Sequence, residues 1–295
     1  MKISIVTPTY NRESLLPKLY DSIVGNSSYG VEIEIEWLIM DDGSTDCTKA
    51  LVDKWKEEKK IEIKYYFQEN QGKMVAINKV IKEATGDLIV ECDSDDYFTK
   101  NAFEIIQRAW EENKNETDCY AMCFLKYDQD NNNMGNLLKN KKTTMFDLYF
   151  KEGENGEKAL VFFSPIRKKY CHKLEKKEKF VTEARMYYQM DLDYKILCIN
   201  EPIMICEYQE EGYSKNMDKQ FKENPYGYYE YFKEILQRDF KGVNFSKRLY
   251  VIKHYILFSY LTKQYQSKVI KNWINKVLYY ILLLPGWIKS SFWTK

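Results

Sequence analysis

Leu88-Ile89-Val90-Glu91-Cys92-Asp93-Ser94-Asp95-Asp96 is a short apolar run that ends abruptly in three carboxylates. With Gly86 before it and an acidic turn after it, the run reads as a buried strand. Two carboxylates about 4 Å apart repel by roughly 4 kcal/mol at an effective dielectric near 20. A fold that keeps such a cluster binds a divalent cation there or raises a pKa. Hard oxygen ligands with few protein donors suit Mg²⁺ or Mn²⁺, phosphate and water completing the shell. Asp93, Asp95 and Asp96 are therefore the candidate metal ligands.

Upstream, the same grammar repeats. Lys2 to Thr7 is an apolar run broken by Pro8-Thr9-Tyr10-Asn11, and Leu15, Leu16, Leu19, Ile23 and Val24 then recur at helical spacing. Ile33 to Met40 is a second strand, ending at Asp41-Asp42-Gly43-Ser44-Thr45, and Ala50, Leu51 and Trp55 mark the helix after it. Ile61 to Phe67 is a third strand. Glu69-Asn70-Gln71-Gly72 then opens a helix carrying Met74, Ile77, Val80 and Ile81. This βαβαβαβ order predicts an α/β fold, a Rossmann-like, mostly parallel sheet with helices on both faces. Ligands of such sheets bind beyond the carboxyl ends of the strands. The polar clusters at Thr7–Asn11, Asp41–Ser44 and Asp93–Asp96 all sit there. Any one of them alone would be an ordinary turn, since Asp, Asn, Gly and Ser form turns readily.

The middle is less regular, with loops expected over Asp128–Asn136 and Glu152–Glu157 and a solvated stretch over Arg167–Lys179. Thr182 to Tyr194 reads as a helix with Thr182 as a possible N-cap, followed by short strands at Ile196–Ile199 and Ile203–Cys206. Beyond about residue 215 the periodicity is helical. Ser246 is placed to cap a run containing Leu249, Ile252, Ile256 and Leu261, and Ile270 to Leu282 form another run that Pro285-Gly286 ends. The expected organisation is an α/β domain over 1–215 and a basic, aromatic-rich helical C-terminal extension over 216–295.

Composition sets the outer bounds. The 295 residues are 44% hydrophobic and 30% charged with only 12 Gly and 6 Pro, which supports an ordinary core and excludes a linker-rich or extensively disordered chain. The net charge of +1 gives no reason to expect nucleic acid. It conceals an asymmetry: residues 225–295 hold twelve Lys/Arg against three acids, a net of +9, which leaves −8 for residues 1–224. Seven scattered cysteines and a start that runs directly into a strand predict reduced thiols in the cytoplasm. Cys119, Cys123, Cys171 and His172 lack the paired spacing of a zinc site.

Four motifs in order carry a resemblance: Ser4-Ile5-Val6-Thr7-Pro8-Thr9-Tyr10-Asn11-Arg12, Trp37-Leu38-Ile39-Met40-Asp41-Asp42-Gly43-Ser44-Thr45-Asp46, Glu69-Asn70-Gln71-Gly72-Lys73 through Asn78, and Gly86-Asp87 through Asp93-Ser94-Asp95-Asp96. Together they resemble family 2 glycosyltransferases of the GT-A fold over roughly residues 1–215. The resemblance implies inverting, metal-dependent transfer from a nucleotide-diphosphate sugar. It assigns nucleoside binding to Thr7, Pro8, Thr9, Tyr10, Asn11, Asp41 and Asp42. Asp93, Ser94 and Asp95 would meet the ribose and the metal-bound pyrophosphate, and Lys73 and Asn78 would line the donor pocket.

Inversion needs a base on the face opposite the leaving diphosphate. The family supplies one at the start of a later helix, which Val181-Thr182-Glu183-Ala184-Arg185 matches, so Glu183 is the candidate. An acid in a helix's first turn is also favoured by the dipole alone. Glu207-Tyr208-Gln209-Glu210-Glu211-Gly212-Tyr213-Ser214 resembles the segment that closes the site, with Tyr213 where an aliphatic residue is common. The lack of a Gln-x-x-Arg-Trp motif and of a spanning segment argues against a processive synthase. The first strand end also lacks the glycine-rich loop of a nucleotidyltransferase. His172 and His254 need no catalytic role.

In the tail, Lys268, Lys271 and Lys276 oppose Ile270, Ile274, Val277 and Ile281, while Tyr279, Tyr280, Trp287, Phe292 and Trp293 add amphipathic rings. No acid follows Asp239, a pattern suited to an anionic membrane surface over residues 240–295. A helical appendage with solvated lysines, or a homodimer through the same faces, are the other readings. The expected function is transfer of one sugar, from a UDP-sugar, to a lipid-linked saccharide in envelope or capsular polysaccharide assembly, at the inner face of the cell membrane. The alternative is a catalytically silent carbohydrate-binding or scaffold protein on the same fold.

Overall fold

A computed structural model describes residues 1–27, 33–175, 178–207, 209 and 216–283. Its strands are β1 (Lys2–Thr9), β2 (Glu34–Asp41), β3 (Glu62–Phe67), β4 (Leu88–Glu91), β5 (Tyr97–Phe98), β6 (Cys119–Tyr127), β7 (Lys142–Thr143), β8 (Lys158–Phe163) and β9 (Lys195–Ile205). Its helices begin with α1 (Leu16–Ser27), α2 (Thr48–Glu58), α3 (Lys73–Val80), α4 (Ala102–Asn113), α5 (Met145–Phe150), α6 (Ser164–Arg167) and α7 (Ala184–Met190). Four more follow: α8 (Met217–Glu223), α9 (Pro225–Leu236), α10 (Phe245–Thr262) and α11 (Trp273–Leu282).

The strands form one sheet in the order β3-β2-β1-β4-β8-β6-β9-β5, with β7 beside β9. The first four strands are parallel, as the βαβ pattern requires, and β1 and β2 run in register from Lys2 opposite Glu34 to Thr9 opposite Asp41. Beyond β4 the sheet becomes mixed, because β8 enters antiparallel between β4 and β6 and β9 pairs parallel with β6. The two short strands expected near 196–206 are one strand, β9, whose register with β6 shifts at Phe124, Leu125 and Lys126.

Both faces are covered, so the strands read as nearly unbroken apolar runs. Ile3, Ile5, Trp37, Ile39, Leu88 and Val90 enter one core with α1, α2 and α4, while Val6, Leu38, Met40 and Ile89 enter the other. The second core also takes Tyr228, Tyr229, Phe232 and Ile235 of α9 and Val251, Ile252, Tyr255 and Phe258 of α10. The helices after residue 216 are thus built into the sheet's own core. Each fully buried side chain of this size stabilises the fold by roughly 1.5–3 kcal/mol.

Two caps differ from expectation. The side chain of Asn244, not Ser246, accepts from Lys247 N at the start of α10, and Glu183, not Thr182, is the residue before α7. Pro285, Gly286, Trp287, Phe292 and Trp293 lie outside the described residues, as does most of the Glu207–Ser214 segment.

Glu36 is a fully buried acid in the middle of this framework. Its carboxylate accepts from Ser4 Oγ at 2.5 Å, Lys64 Nζ at 2.6 Å, Thr85 N at 2.5 Å and Thr85 Oγ1 at 2.9 Å. Burial opposes ionisation, but the bonds from Lys64, Ser4 and Thr85 overcome it and hold the pKa at about 2. Because the folded value lies below the unfolded one, this contribution is complete above about pH 4.5 and is lost as pH falls towards 2. Glu36→Ala should lower the urea-unfolding free energy at pH 7 by about 3 kcal/mol, the cost of breaking a buried pair. The deficit should shrink on titration to pH 3, whereas a pH-independent deficit would contradict the assignment.

Candidate active site

Because β1, β2 and β4 are parallel, their carboxyl ends deliver Thr9, Asp41 and Asp93 to one edge of the sheet. The loops are tied together there. Asn11, in the left-handed region at φ 51°, donates its N–H to Ser44 Oγ at 2.9 Å and accepts from Thr45 N at 2.8 Å through Oδ1. Asn is among the few side chains that adopt this conformation readily.

Asp42 is firmly held at this edge. Its Oδ1 accepts from Gln68 Nε2 at 2.6 Å and Gln71 N at 2.8 Å, and its Oδ2 from Gly72 N at 2.8 Å. A carboxylate offers about four acceptor positions, so one remains for a ligand. Gly72 is required where it stands: its φ is +98°, and a Cβ would lie 2.2 Å from Lys179 O. Nearby, the hydroxyl of Thr9 is buried without a hydrogen-bond partner.

Lys73, the first residue of α3, lies between the two halves of the site. Its Nζ is 2.7 Å from Asp93 Oδ1 and 2.7 Å from Glu183 Oε1. Burial opposes the ammonium charge, yet Asp93 and Glu183 outweigh it and raise the pKa well above the ordinary lysine value. Burial likewise opposes ionisation of Glu183, but Lys73 outweighs it and lowers the carboxyl's pKa. The Tyr187 hydroxyl, one turn along α7, donates to Glu183 Oε2 at 3.2 Å. Glu183 is therefore ionised, the form a base requires.

The three carboxylates of the triplet have separate environments. Asp96 is buried against Lys126 Nζ at 2.7 Å, Asp93 is held by Lys73, and no ion pair among the described residues neutralises Asp95. Burial, then Asp93 and Asp96, push the Asp95 pKa up to about 6. A divalent cation would relieve that strain, and hard carboxylate oxygens of Asp95 and Asp93 suit Mg²⁺ or Mn²⁺. No group of three His, Cys, Asp or Glu side chains among the described residues is arranged to hold a metal unaided. Asp95 and Asp93 are the residues that would hold such a cation.

A cleft of about 1510 Å³ joins Pro8, Thr9, Tyr10, Asn11, Asp42, Lys73, Asp93, Ser94, Asp95, Asp96 and Glu183. Three expected residues do not line it. Thr7 Oγ1 is buried and accepts from Trp37 Nε1 at 2.9 Å, and Asp41 accepts from Tyr65 Oη at 2.6 Å and Ser44 N at 2.7 Å, so both support the loops from behind. Asn78 uses both ends of its amide on the backbone of His172, at 2.8 Å each. It anchors the stretch leading to Glu183, because the helical spacing from Lys73 turns it away from the cleft. Sequence reading did not single out Lys126 or Tyr187. A lone lysine in the otherwise apolar β6, and a tyrosine four residues after Glu183, were the available signals.

The sequence model of glycosyl transferase family 2 matches residues 4–175. The chain belongs to that family. Among relatives of the family 2 chain, an uncharacterized glycosyltransferase of Mycoplasma genitalium, MG060, is 33% identical over 132 residues, 43% of this chain and 44% of that protein. The chain therefore matches less than half the length of that relative. The crystal structure of Staphylococcus aureus TarS 1-349 in complex with UDP-GlcNAc superposes with a TM-score of 0.57 at 16% identity, covering 95% of this chain and 89% of that one. A mannosyltransferase from Pyrobaculum calidifontis in complex with GDP-Man and Mn²⁺ gives 0.58 at 13%, covering 97% and 82%. These likenesses show the fold, which is GT-A.

Proposed function

We propose that this family 2 chain transfers a single sugar, with inversion, from a nucleotide-diphosphate donor to a saccharide acceptor. The observation that carries the reading is one cleft holding Asp93, Asp95, Lys73 and Glu183 beside a preformed Asp42 cradle. UDP-GlcNAc in TarS and GDP-Man with Mn²⁺ in the mannosyltransferase support a nucleotide-sugar donor here. A UDP-sugar is the preferred donor.

In this mechanism the Thr9–Asn11 loop and Asp42 hold the nucleoside, with the remaining acceptor position of Asp42 for a base N–H and the unpartnered Thr9 hydroxyl facing the same ligand. Asp95 and Asp93 would hold Mg²⁺ or Mn²⁺, which supplies charge neutralisation to the leaving diphosphate. Lys73 adds a second positive charge at the same place. Glu183 takes the proton of the acceptor hydroxyl as its oxygen bonds to the anomeric carbon and the bond from that carbon to the diphosphate breaks. The orphaned Thr9 oxygen and the ionised Glu183 favour this over a silent scaffold.

The acceptor is proposed to be lipid-linked and reached at a membrane surface. No helix among the described residues is long and apolar enough to cross a membrane. On α11, however, Trp273 is 72% exposed, and Val277, Tyr280 and Ile281 are each at least half exposed. Lys276 lies on the same helix and Lys268 and Lys271 precede it, while Ile270, expected on the apolar strip, is buried like Tyr279 and Leu282. An exposed apolar strip edged by lysines suits an anionic leaflet.

Glu183→Gln should lower kcat about 10²–10⁴-fold while leaving the Kd for UDP within twofold of wild type; unchanged turnover would remove Glu183 as the base. The chain should float with phosphatidylglycerol vesicles, and changing Lys268, Lys271 and Lys276 to Glu should return it to the soluble fraction. Equal flotation of both proteins, or of neither, would contradict the membrane reading.

A further inference from the structure

The cleft does not end at Glu183. It continues along α9 and α10, where Tyr228, Tyr231, Lys247 and Tyr250 line it. We propose that this arm is the acceptor subsite and that it takes a sugar ring carrying an anionic substituent such as a phosphate. The assignment rests on the opposite end being the donor pocket.

Position is the first ground. Tyr187 hydrogen-bonds Glu183, and the next residue of α7, Tyr188, stacks on Tyr231 with ring centres 5.9 Å apart and planes 19° from parallel. An aromatic surface thus starts one helical turn from the base and leads onto α9. A hydroxyl presented to Glu183 belongs to a molecule lying along this surface, since the far end is occupied by the Asp42 cradle.

Chemistry is the second ground. Tyr228 is only 3% exposed, and its hydroxyl has no hydrogen-bond partner although the residue lines the cleft. A buried phenol ordinarily finds a partner, and a sugar hydroxyl would supply it. Tyr250 at the mouth is 47% exposed, a flat face on which the apolar side of a pyranose can rest. Its ring also packs against Phe232 and His254, at 5.9 and 4.1 Å between centres, which fixes the orientation of that face.

Charge is the third. Lys247 lies with its Nζ 5.9 Å from the centre of the Phe150 ring and makes no ion pair among the described residues. Its ammonium is a phosphate-seeking point charge, held at the edge of the tyrosine surface. The acids of the cleft, Asp42, Asp93, Asp95, Asp96, Glu157, Glu183 and Glu207, all come from elements before α8. The α10 end of the cleft thus carries Lys247 with no acid on α8, α9 or α10 lining it, and an anionic substituent is attracted there.

Saturation-transfer NMR tests this on the full chain with saturating UDP and MgCl₂, using glucose 6-phosphate and glucose as probes. Glucose 6-phosphate should receive saturation on its ring protons, at least threefold more than glucose. Tyr250→Ala should reduce that transfer at least fivefold, and Lys247→Ala should bring glucose 6-phosphate down to the level of glucose. The UDP affinity of each variant, read in the same samples, serves as the folding control, and Tyr250→Leu provides a second variant that keeps an apolar side chain. UDP binding without transfer to glucose 6-phosphate, or transfer undiminished in the variants, would overturn the acceptor subsite. Equal transfer to glucose would overturn its preference for an anion. Failure of the wild-type chain to bind UDP would instead overturn the donor reading beneath it.

Discussion

The contact on which the site depends is the Lys73 ammonium lodged between Asp93 and Glu183. It joins the end of β4 to the start of α7, two segments ninety residues apart in the chain, by two contacts of 2.7 Å. Without a cation there, Asp93, Asp95 and Glu183 would place negative charge around one cleft. Repulsion on the order of several kcal/mol per pair in a partly buried setting would force them apart or protonate them. Asp95, which has no such partner among the described residues, is pushed up to about 6 by burial and by its neighbours Asp93 and Asp96.

The sheet makes this arrangement possible by geometry alone. Parallel strands with helical crossovers deliver every loop of the first half to the same edge, and the mixed second half brings β8 and β9 behind it. The C-terminal helices complete the enclosure. Because α9 and α10 share an apolar core with β6 and β8, they form a wall of the cleft and are fixed relative to Glu183. The surface of α11, by contrast, keeps an apolar strip outward.

Much of this was legible beforehand because the signals were local. Apolar runs ending in Asp41-Asp42 and Asp93-Ser94-Asp95-Asp96 mark both the strand ends and the polar edge, and Glu69-Asn70-Gln71-Gly72 announces the helix that starts at Lys73. What could not be read was pairing over long separations. Nothing near Lys126 in sequence indicates that it neutralises Asp96, and nothing near Asn78 indicates that its amide is committed to His172. Likewise nothing local shows that strand alternation turns Asp41 towards Tyr65 and Asp42 towards the cleft; only the family resemblance favours the second aspartate. The position of β8 between β4 and β6 is a non-local pairing of the same kind. Residues 216–295 read as a helical extension because periodicity reports a helix and its apolar face, not what that face meets.

The central claim is that Asp95 and Asp93 share a divalent cation with the diphosphate of a nucleotide. Calorimetric titration of UDP into the full chain, in MnCl₂ and in EDTA, measures this directly. The account predicts at least tenfold tighter binding with manganese, about 1.4 kcal/mol, and loss of that gain in Asp95→Asn. Equal affinity with and without the metal, or a gain that survives in Asp95→Asn, would contradict it.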